Sequence, residues 1–406
     1  MVEQHGKTLV PQIRFAGFTD PWEQRKLGEL TESYSGGTPA AGESEFYGGS
    51  IPFIRSAEIA AESTELFLTE KGYESSSARM VKPGDVLYAL YGATSGEVAV
   101  SRQKGAINQA ILAILPRDDC DARYITAWLR KQKGYIVTTY LQGGQGNLSG
   151  VIVKNLEVFI PSLPEQQKIG FMLSHLDSLI TLHQRKYDKL CVLKKSMLDK
   201  MFPKGGSLYP EIRFAGFTDP WEQRKLGDIL QERNVRTSDF ESNPIFSLTI
   251  EDGITPKTDR YERTSLITKT EDLFKIVSPN EFVTNPMNLR FGAFGYNKNS
   301  FSVCVSGYYD VFSIDNDKCS GFWNSYFKTS VALKRFDDAA TGSLIEKRRV
   351  KYSTLCQLIF LMPKGMDEKK RIGAFFDRLD SLITLHQRKL ELLRNIKKSM
   401  LDKMFV

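Results

Sequence analysis

Apolar residues recur at spacings of three and four along two long stretches of the chain, residues 165–202 and 368–405. In the first stretch, the repeating positions are Ile169, Leu173, Leu176, Ile180, His183, Tyr187, Leu190, Met197 and Met201. This spacing predicts a coiled-coil seam of about five heptads, which only Lys194 interrupts. Pro164 suits the first helical position, and Pro203-Lys204-Gly205-Gly206 ends the helix. At about 1.5 Å per residue, each helix is about 57 Å long.

The two helical stretches are copies of one another, identical at 24 of 38 positions. A second repeat, IRFAGFTDPWEQRKLG, occupies residues 13–28 and again residues 212–227. Two equal apolar stripes in one chain can be buried against each other, and the duplication predicts an antiparallel pair with pseudo-twofold symmetry.

The regions between the repeats, residues 29–160 and 228–362, share no obvious similarity. We call them the first and second variable regions. Strand-like runs such as VLYALYG and CVSGYYDVFSI alternate with an amphipathic helix at Asp121–Gln132, and VIVKNLEVFIP is expected as a closing strand. The predicted fold class is mixed α/β, with two globular domains separated by two long antiparallel coiled-coil helices. The predicted boundaries are 1–163, 164–203, 204–363 and 364–406, in which the second and fourth segments are the helices.

The seam pattern also predicts which residues the helix pair buries. The expected interface residues are Leu176, Ile180, His183, Leu190, Leu379, Ile383, His386 and Leu393. His183 and His386 lie at the helix midpoints and are expected to meet near the pseudo-twofold axis. They are either a metal or pH device or a polar pair that fixes the register. The second interpretation is preferred and no metal is expected, because no third ligand is in sight.

The net charge of +7 is concentrated on the predicted helices, which carry 7 basic against 4 acidic residues (165–202) and 11 against 6 (364–406). Any DNA contact by the variable regions must therefore use local patches. The five cysteines are scattered without a C-x-x-C pair, which fits a reducing cytoplasm. The apolar run at Leu355–Met362 is too short for a membrane helix, and the first residues do not resemble a signal peptide.

Sequence motifs of catalysis are missing. Asn243-Pro244-Ile245-Phe246 approaches the Asn-Pro-Pro-Tyr of an adenine methyltransferase but lacks the second proline, and no glycine-rich cofactor loop follows a strand. The chain is expected to be non-catalytic.

Together, the repeated IRFAGFTDPWEQRKLG, the helix start Pro161-Ser162-Leu163-Pro164-Glu165-Gln166 and the runs YGGSIPFIRSAEI and GDVLYALYGATSGEVAV resemble the specificity subunit of type I restriction-modification systems. The second helix start, Glu368-Lys369-Lys370-Arg371, departs from the usual glutamine pattern. The resemblance covers essentially the whole chain. It implies a non-catalytic, DNA-associated subunit in a prokaryotic cytoplasm, each of whose variable regions binds one half of a bipartite, asymmetric duplex site, with the helices setting the spacing.

The same resemblance implies the partners and cofactors. Two methyltransferase subunits would dock on the scaffold and carry S-adenosylmethionine, and motor-nuclease subunits would join them with ATP and magnesium. None of these cofactors would bind this chain directly. A coiled-coil adaptor that does not read DNA is the alternative, but it leaves two large, dissimilar inserts unexplained.

Donor-rich loop residues are the expected DNA contacts, because Arg, Asn and Gln can read base edges and grip phosphates. In the first variable region these are Arg55, Tyr91, Thr94, Asn108, Gln145 and Asn147. In the second they are Arg290, Tyr296, Asn297, Lys298, Arg348 and Arg349.

Overall fold

The computed structural model describes residues 10–141, 147–251, 253–257, 273–314, 319–344 and 348–406. The chain divides into two compact units. Unit 1 consists of Met1–Gln184 and Arg388–Val406, and unit 2 of Arg185–Gln387. Both long helices cross this division, so each unit contains one variable region and half of each helix. The sequence had suggested the helices as segments of their own.

Unit 1 is built from short strands and a few helices. Its strands are β1 (Glu23–Lys26), β2 (Thr31–Ser35), β3 (Tyr47–Ile54), β4 (Phe67–Leu68), β5 (Arg79–Val81), β6 (Val86–Ala89), β7 (Val98–Val100), β8 (Gly105–Ile107), β9 (Ile111–Pro116) and β10 (Glu157–Ile160). Its helices are α1 (Leu27–Leu30), α2 (Glu70–Glu74), α3 (Ala122–Leu141), α4 (Gly150–Lys154) and the first part of α5 (Leu163–Lys200). The strands form sheets in the orders β2-β9-β6-β7, β4-β3-β8-β5 and β1-β10.

Strand β6 separates two apolar cores in unit 1. Val86 and Tyr88 face the core that includes α3, whereas Leu87 and Ala89 face the core shared with the β3–β8 sheet. Successive side chains of a strand point to opposite faces, and both faces of β6 are covered, so all four residues are buried. The run VLYALYG therefore lacks polar alternation, as expected of a strand covered on both faces.

Unit 2 has a similar composition of elements. Its strands are β11 (Glu222–Lys225), β12 (Leu230–Arg233), β13 (Arg236–Thr237), β14 (Phe246–Thr249), β15 (Gly253–Pro256), β16 (Phe274–Val277), β17 (Phe282–Thr284), β18 (Phe294–Tyr296), β19 (Val303–Val305), β20 (Asp310–Ile314) and β21 (Ile359–Met362). Its helices are α6 (Ser320–Tyr326), α7 (Ser330–Ala339), α8 (Tyr352–Leu355) and the first part of α9 (Met366–Lys403). The sheet orders are β12-β20-β17-β18, β13-β16-β19, β14-β15 and β11-β21.

The predicted mixed α/β class with two long helices is confirmed, and one local prediction is wrong. The run VIVKNLEVFIP was expected to be a single strand, but it begins as helix α4 and becomes β10 only at Glu157. The Ser149 hydroxyl accepts from the Ile152 amide at 3.2 Å and caps α4. A local cap therefore outweighs the strand preference of three β-branched residues.

The repeated sequences make the same contacts in both units. In unit 1, β1 pairs with β10, and Arg14 forms two hydrogen bonds to buried Glu165, at 2.7 and 2.8 Å. In unit 2, β11 pairs with β21, and Arg213 binds buried Glu368 at the same two distances. Each repeated segment is thus fastened to the start of a long helix.

The repeated ends of the long helices are also equivalent. In unit 1, the Phe405 ring after α9 packs 6.5 Å from Trp22 and 5.2 Å from Tyr124. In unit 2, the Phe202 ring after α5 packs 6.1 Å from Trp221 and 4.8 Å from Tyr326. Aromatic contacts of this kind bury large apolar surfaces and anchor each helix end in a core.

Candidate nucleic-acid interface

In unit 1, the structure gathers five candidates of the first variable region at one edge of its sheets. Strands β3 and β8 run parallel, with Ile54 opposite Ile107. Arg55 and Asn108 therefore leave the sheet at the same edge. The Arg55 guanidinium is exposed and lies 2.6 Å from the Glu58 carboxylate, which raises the pKa of Arg55 and lowers that of Glu58 through the hydrogen bond between them.

The end of β6 brings three more candidates to this edge. Tyr91 forms an isolated β-bridge with Asn147, and Leu148 N donates to Leu90 O at 3.0 Å. The Thr94 hydroxyl donates to the Tyr91 carbonyl at 3.3 Å. The link to Asn108 is the turn before β9, where Leu90 N donates to Ala110 O at 2.8 Å. Gln145, the sixth candidate, lies outside the described residues.

Two residues at this edge were not among the candidates, Thr38 and Gln109. Both are exposed, and the Thr38 hydroxyl donates to Gln109 Oε1. The sequence signal that could have found Thr38 is the preceding pair Gly36-Gly37. An added Cβ at Gly36 would lie 1.7 Å from Ile107 O, so this loop passes directly over the end of β8. We call Thr38, Arg55, Tyr91, Thr94, Asn108, Gln109 and Asn147 the polar edge of unit 1.

The candidates of the second variable region are less exposed. Tyr296 is the last residue of β18, and Lys298 follows this strand. Both face helix α9, where the Tyr296 hydroxyl lies 3.2 Å and Lys298 Nζ 3.4 Å from Asp377 Oδ1. Burial, aided by the nearby Asp377 carboxylate, raises the pKa of Tyr296. These two residues connect the variable region to the long helix within unit 2. Of the two, only Lys298 is exposed.

Asn297 is a correction to the predicted set. Its side chain is 1% exposed, and Nδ2 donates to the carbonyls of Val277 and Phe301, each at 2.9 Å. Oδ1 accepts from Asn299. A buried amide committed to backbone partners holds the loop in place and has no surface with which to contact a base.

Arg290 and Arg348 both approach Asp337. Arg290 is only 10% exposed and lies 3.0 Å from the Asp337 carboxylate, which removes it from the surface on which it was expected. Arg348 donates to the carbonyls of Asp337 and Ala340 at 2.6 and 3.2 Å. These two side chains mainly tie α7 to its neighbours.

Arg349 is exposed and, together with Lys351, lines an open pocket of about 390 Å³. Tyr308, also exposed, and half-buried Asp310 line this pocket as well. Burial raises the pKa of Asp310 despite the opposing effect of Lys275. Two cations, of which only Arg349 was a predicted contact, and an exposed aromatic ring are groups that can bind a nucleic acid.

The predicted seam of the helix pair divides evenly between the units. Unit 1 contains Leu176, Ile180, His183 and Leu393, and unit 2 contains Leu190, Leu379, Ile383 and His386. Leu379 is buried and the other seven are half-buried. Leu176 packs on the core that includes Phe405, and Leu190 on the core that includes Phe376. The meeting of His183 with His386 stays a prediction.

Lys194, which interrupts the apolar stripe, forms an ion pair in the structure. Its Nζ lies 2.5 Å from Asp380 Oδ1 in unit 2. The equivalent residues in unit 1, Lys397 and Asp177, are also 2.5 Å apart. Arg130 of α3 joins this second pair at 2.5 Å.

These contacts also give the direction of the helices. In unit 1, Asp177 contacts Lys397 while Gln184 Oε1 accepts from Arg394 at 3.0 Å, so residue numbers rise along α5 as they fall along α9. The helix halves within the unit are antiparallel, as predicted.

No group of three His, Cys, Asp or Glu side chains able to hold a metal occurs in the described ranges. Nor does that part of the chain contain a helix long and apolar enough to cross a bilayer.

Comparisons with known proteins match these features. The family model of the type I restriction modification DNA specificity domain matches residues 19–191. Two similar proteins of Methanocaldococcus jannaschii are type I restriction enzyme specificity subunits: MjaIX, 29% identical over 57% of this chain, and MjaVIII, 23% identical over 57%. The matches span about half of these relatives, 56% and 55% of their lengths.

One solved structure supports the fold over the full chain. The S subunit of a type I restriction-modification system from M. genitalium aligns with 98% of this chain and 99% of its own, at a TM-score of 0.60 and 14% identity. The resemblance drawn from the repeats and motifs is confirmed by the match to the specificity-domain model and by the similarity to the specificity subunits of M. jannaschii.

Proposed function

We propose, from the specificity-domain match at residues 19–191, that this chain is the DNA-reading subunit of a type I restriction-modification complex. The observation that supports this best is the contrast between the repeated and unrepeated parts. The repeated segments make equivalent ion pairs, strand pairs and aromatic contacts in the two units, and the sheets β2-β9-β6-β7 and β12-β20-β17-β18 have corresponding strand orders. The variable regions differ in sequence and in their remaining sheets, which are β4-β3-β8-β5 in unit 1 but β13-β16-β19 and β14-β15 in unit 2. Two unlike surfaces on two like supports suit a site with two unlike halves.

Each variable region would bind one half-site. In the first, the polar edge of unit 1 offers hydroxyl, amide and guanidinium groups held on strand ends, which can reach base edges in a major groove. In the second, Arg349, Lys351 and Lys298 are exposed cations that could bind backbone phosphates. The long helices would fix the spacing between half-sites, because spacing is a geometric property of the frame.

The chain would work without catalysis of its own. Two methyltransferase subunits carrying S-adenosylmethionine would dock on it to methylate adenine in each half-site, and motor-nuclease subunits using ATP and magnesium would join for cleavage. Exposed apolar residues on the long helices would provide surface for such partners, among them Leu182, Val192, Leu193, Leu385 and Leu392. The complex would act on DNA in a prokaryotic cytoplasm.

Exchange of one variable region tests the modular assignment. Residues 29–160 would be replaced by the corresponding region of a different specificity subunit, and methylated adenines would be mapped in cells that express the hybrid with its methyltransferase partner. We expect one half of the recognised site to change while the other half and the gap stay the same. A change in both halves, or no change, would refute the assignment of one half-site to each region.

A further inference from the structure

Gln109 combines an exposed side chain with a fixed backbone. The Ala110 amide donates to Asn108 Oδ1 at 3.1 Å, and Ile111 N donates to Asn108 O at 3.2 Å. Ala110 O accepts from Leu90 N at 2.8 Å, at the end of the buried strand β6. Both neighbours of Gln109 are therefore held by hydrogen bonds to the sheet. The side-chain oxygen of Asn108 accepts a hydrogen bond within this turn. Gln109 is therefore the residue of the turn whose side-chain amide faces outward.

Thr38 is held in the same way from the opposite side. Gly37 N donates to Ile107 O at 3.2 Å, and the Pro39 carbonyl accepts from the Tyr47 hydroxyl at 3.2 Å. An added Cβ on Gly37 would lie 2.0 Å from Ser77 Oγ, so the loop is packed against its support. Thr38 is thus an exposed hydroxyl on a loop whose two flanking residues are both anchored.

The contact between the two side chains orients the amide. The Thr38 hydroxyl donates to Gln109 Oε1. This leaves Oε1 a second lone pair, and no acceptor within the described ranges takes either proton of Nε2. The amide consequently presents an acceptor and a donor side by side, in one orientation, on a rigid support.

We propose that Gln109 reads an adenine through the major groove in the half-site bound by the first variable region, and that Thr38 is its positioning residue. Oε1 would accept from the adenine N6 amino group and Nε2 would donate to N7, the bidentate pairing that glutamine makes with adenine. This inference rests on the proposed function. It assigns one base to one residue, which the exchange of a whole region does not.

The test uses the complete chain in complex with its methyltransferase partner and a duplex library with randomised half-sites. Gln109→Ala should lower the preference for adenine at one position by roughly 5- to 150-fold, leaving the other positions and the second half-site unchanged. Thr38→Val should relax the same position less strongly, whereas Thr38→Ser, which keeps the hydroxyl, should retain the preference. The double variant should be no more relaxed than Gln109→Ala. Gln167→Ala, at an exposed glutamine on α5 outside both variable regions, is the matched control.

A relaxed A·T position shared by Gln109→Ala and Thr38→Val supports the proposal. It is overturned if Gln109→Ala leaves every position unchanged, relaxes several positions or a G·C position, or alters the second half-site. Abolished binding overturns it as well, since one base contact cannot carry the whole affinity of a site. If the Gln109→Ala complex keeps the adenine preference and still recognises two half-sites, only the assignment of Gln109 is refuted. If the wild-type complex shows no two-part preference, the proposed function itself is refuted.

Discussion

Removing the Glu368 carboxylate should destabilise unit 2 by about 3–5 kcal/mol, because it leaves the nearly buried guanidinium of Arg213 without its ion-pair partner. Arg213 donates to both oxygens of Glu368, and the Trp221 indole N–H adds a third contact at 3.3 Å. The two charged side chains are 13% and 4% exposed. In Glu368→Ala, the arginine loses its partner without regaining water.

The expected size follows from the cost of an uncompensated charge. For a unit of this size, each kcal/mol lowers Tm by about 2–4 °C, so the predicted loss is about 6–20 °C. Urea unfolding gives the free energy, and hydrogen exchange read by mass spectrometry assigns the loss to unit 2. The matched control is Glu222→Ala, which removes exposed ion pairs with Lys364 at 3.3 Å and with Arg224 at 3.9 Å and should cost no more than about 1 kcal/mol.

A double variant distinguishes the cost of an unpaired buried charge from the cost of lost packing. Arg213→Met with Glu368→Leu removes both charges and should recover most of the stability that Glu368→Ala loses, since apolar replacement of a buried pair is often close to neutral. Trp221 would lose its acceptor, but buried Trp22, its counterpart in unit 1, has no hydrogen-bond partner within the described ranges. The reasoning is refuted if Glu368→Ala costs less than about 1 kcal/mol, or if the double variant is as unstable as the single one.

Three further predictions follow from local contacts. Reversing one charge of the seam pair in unit 2, with Lys194→Glu, should destabilise unit 2 by about 1 kcal/mol, and adding Asp380→Lys should restore part of the loss in urea unfolding. No recovery would count against pairing across the seam. Burial raises the pKa of Asp310 above its usual 3.8, so ionisation of this group opposes folding at neutral pH. Asp310→Asn should therefore raise the unfolding free energy at pH 7, and this gain should fade as the pH falls towards 4. A gain that grows on acidification would contradict this sign. An added Cβ meets nothing within 4 Å at Gly134 on α3, so Gly134→Ala should stabilise unit 1 by up to about 1 kcal/mol. Gly36→Ala should destabilise unit 1, because its Cβ would lie 1.7 Å from Ile107 O. Thermal melting of both variants checks the contrast.

The sequence predicted the long helices well because their apolar spacing persists over about five heptads. It could not explain Lys194, since the partner Asp380 lies on the other helix and is found only through tertiary pairing. The same limit applies to VIVK, whose helical start depends on the Ser149 cap. Periodicity reports what a segment buries, whereas a cap or an ion pair depends on a few specific atoms.

The candidate DNA contacts were harder to predict because the same residue types serve the fold. Asn297 and Arg290 have the chemistry of base-reading residues, yet one supports a loop and the other binds Asp337. Conversely, Gln109 lies just before strand β9 in a mostly apolar stretch, and only the structure shows that its side chain is exposed beside Thr38. The donor-rich loops of the sequence indicated five residues of the polar edge of unit 1. Composition alone could not show which of them have side chains that are both exposed and fixed in position.

The most direct test of the central claim is a genome-wide map of methylated adenine in cells that co-express this chain with its methyltransferase partner, compared with cells that lack the chain. The account predicts a two-part motif with a fixed gap and unlike halves, which disappears when the chain is deleted. Methylation that persists without the chain, or a single uninterrupted palindrome, would contradict a reader with two recognition surfaces and favour a coiled-coil adaptor.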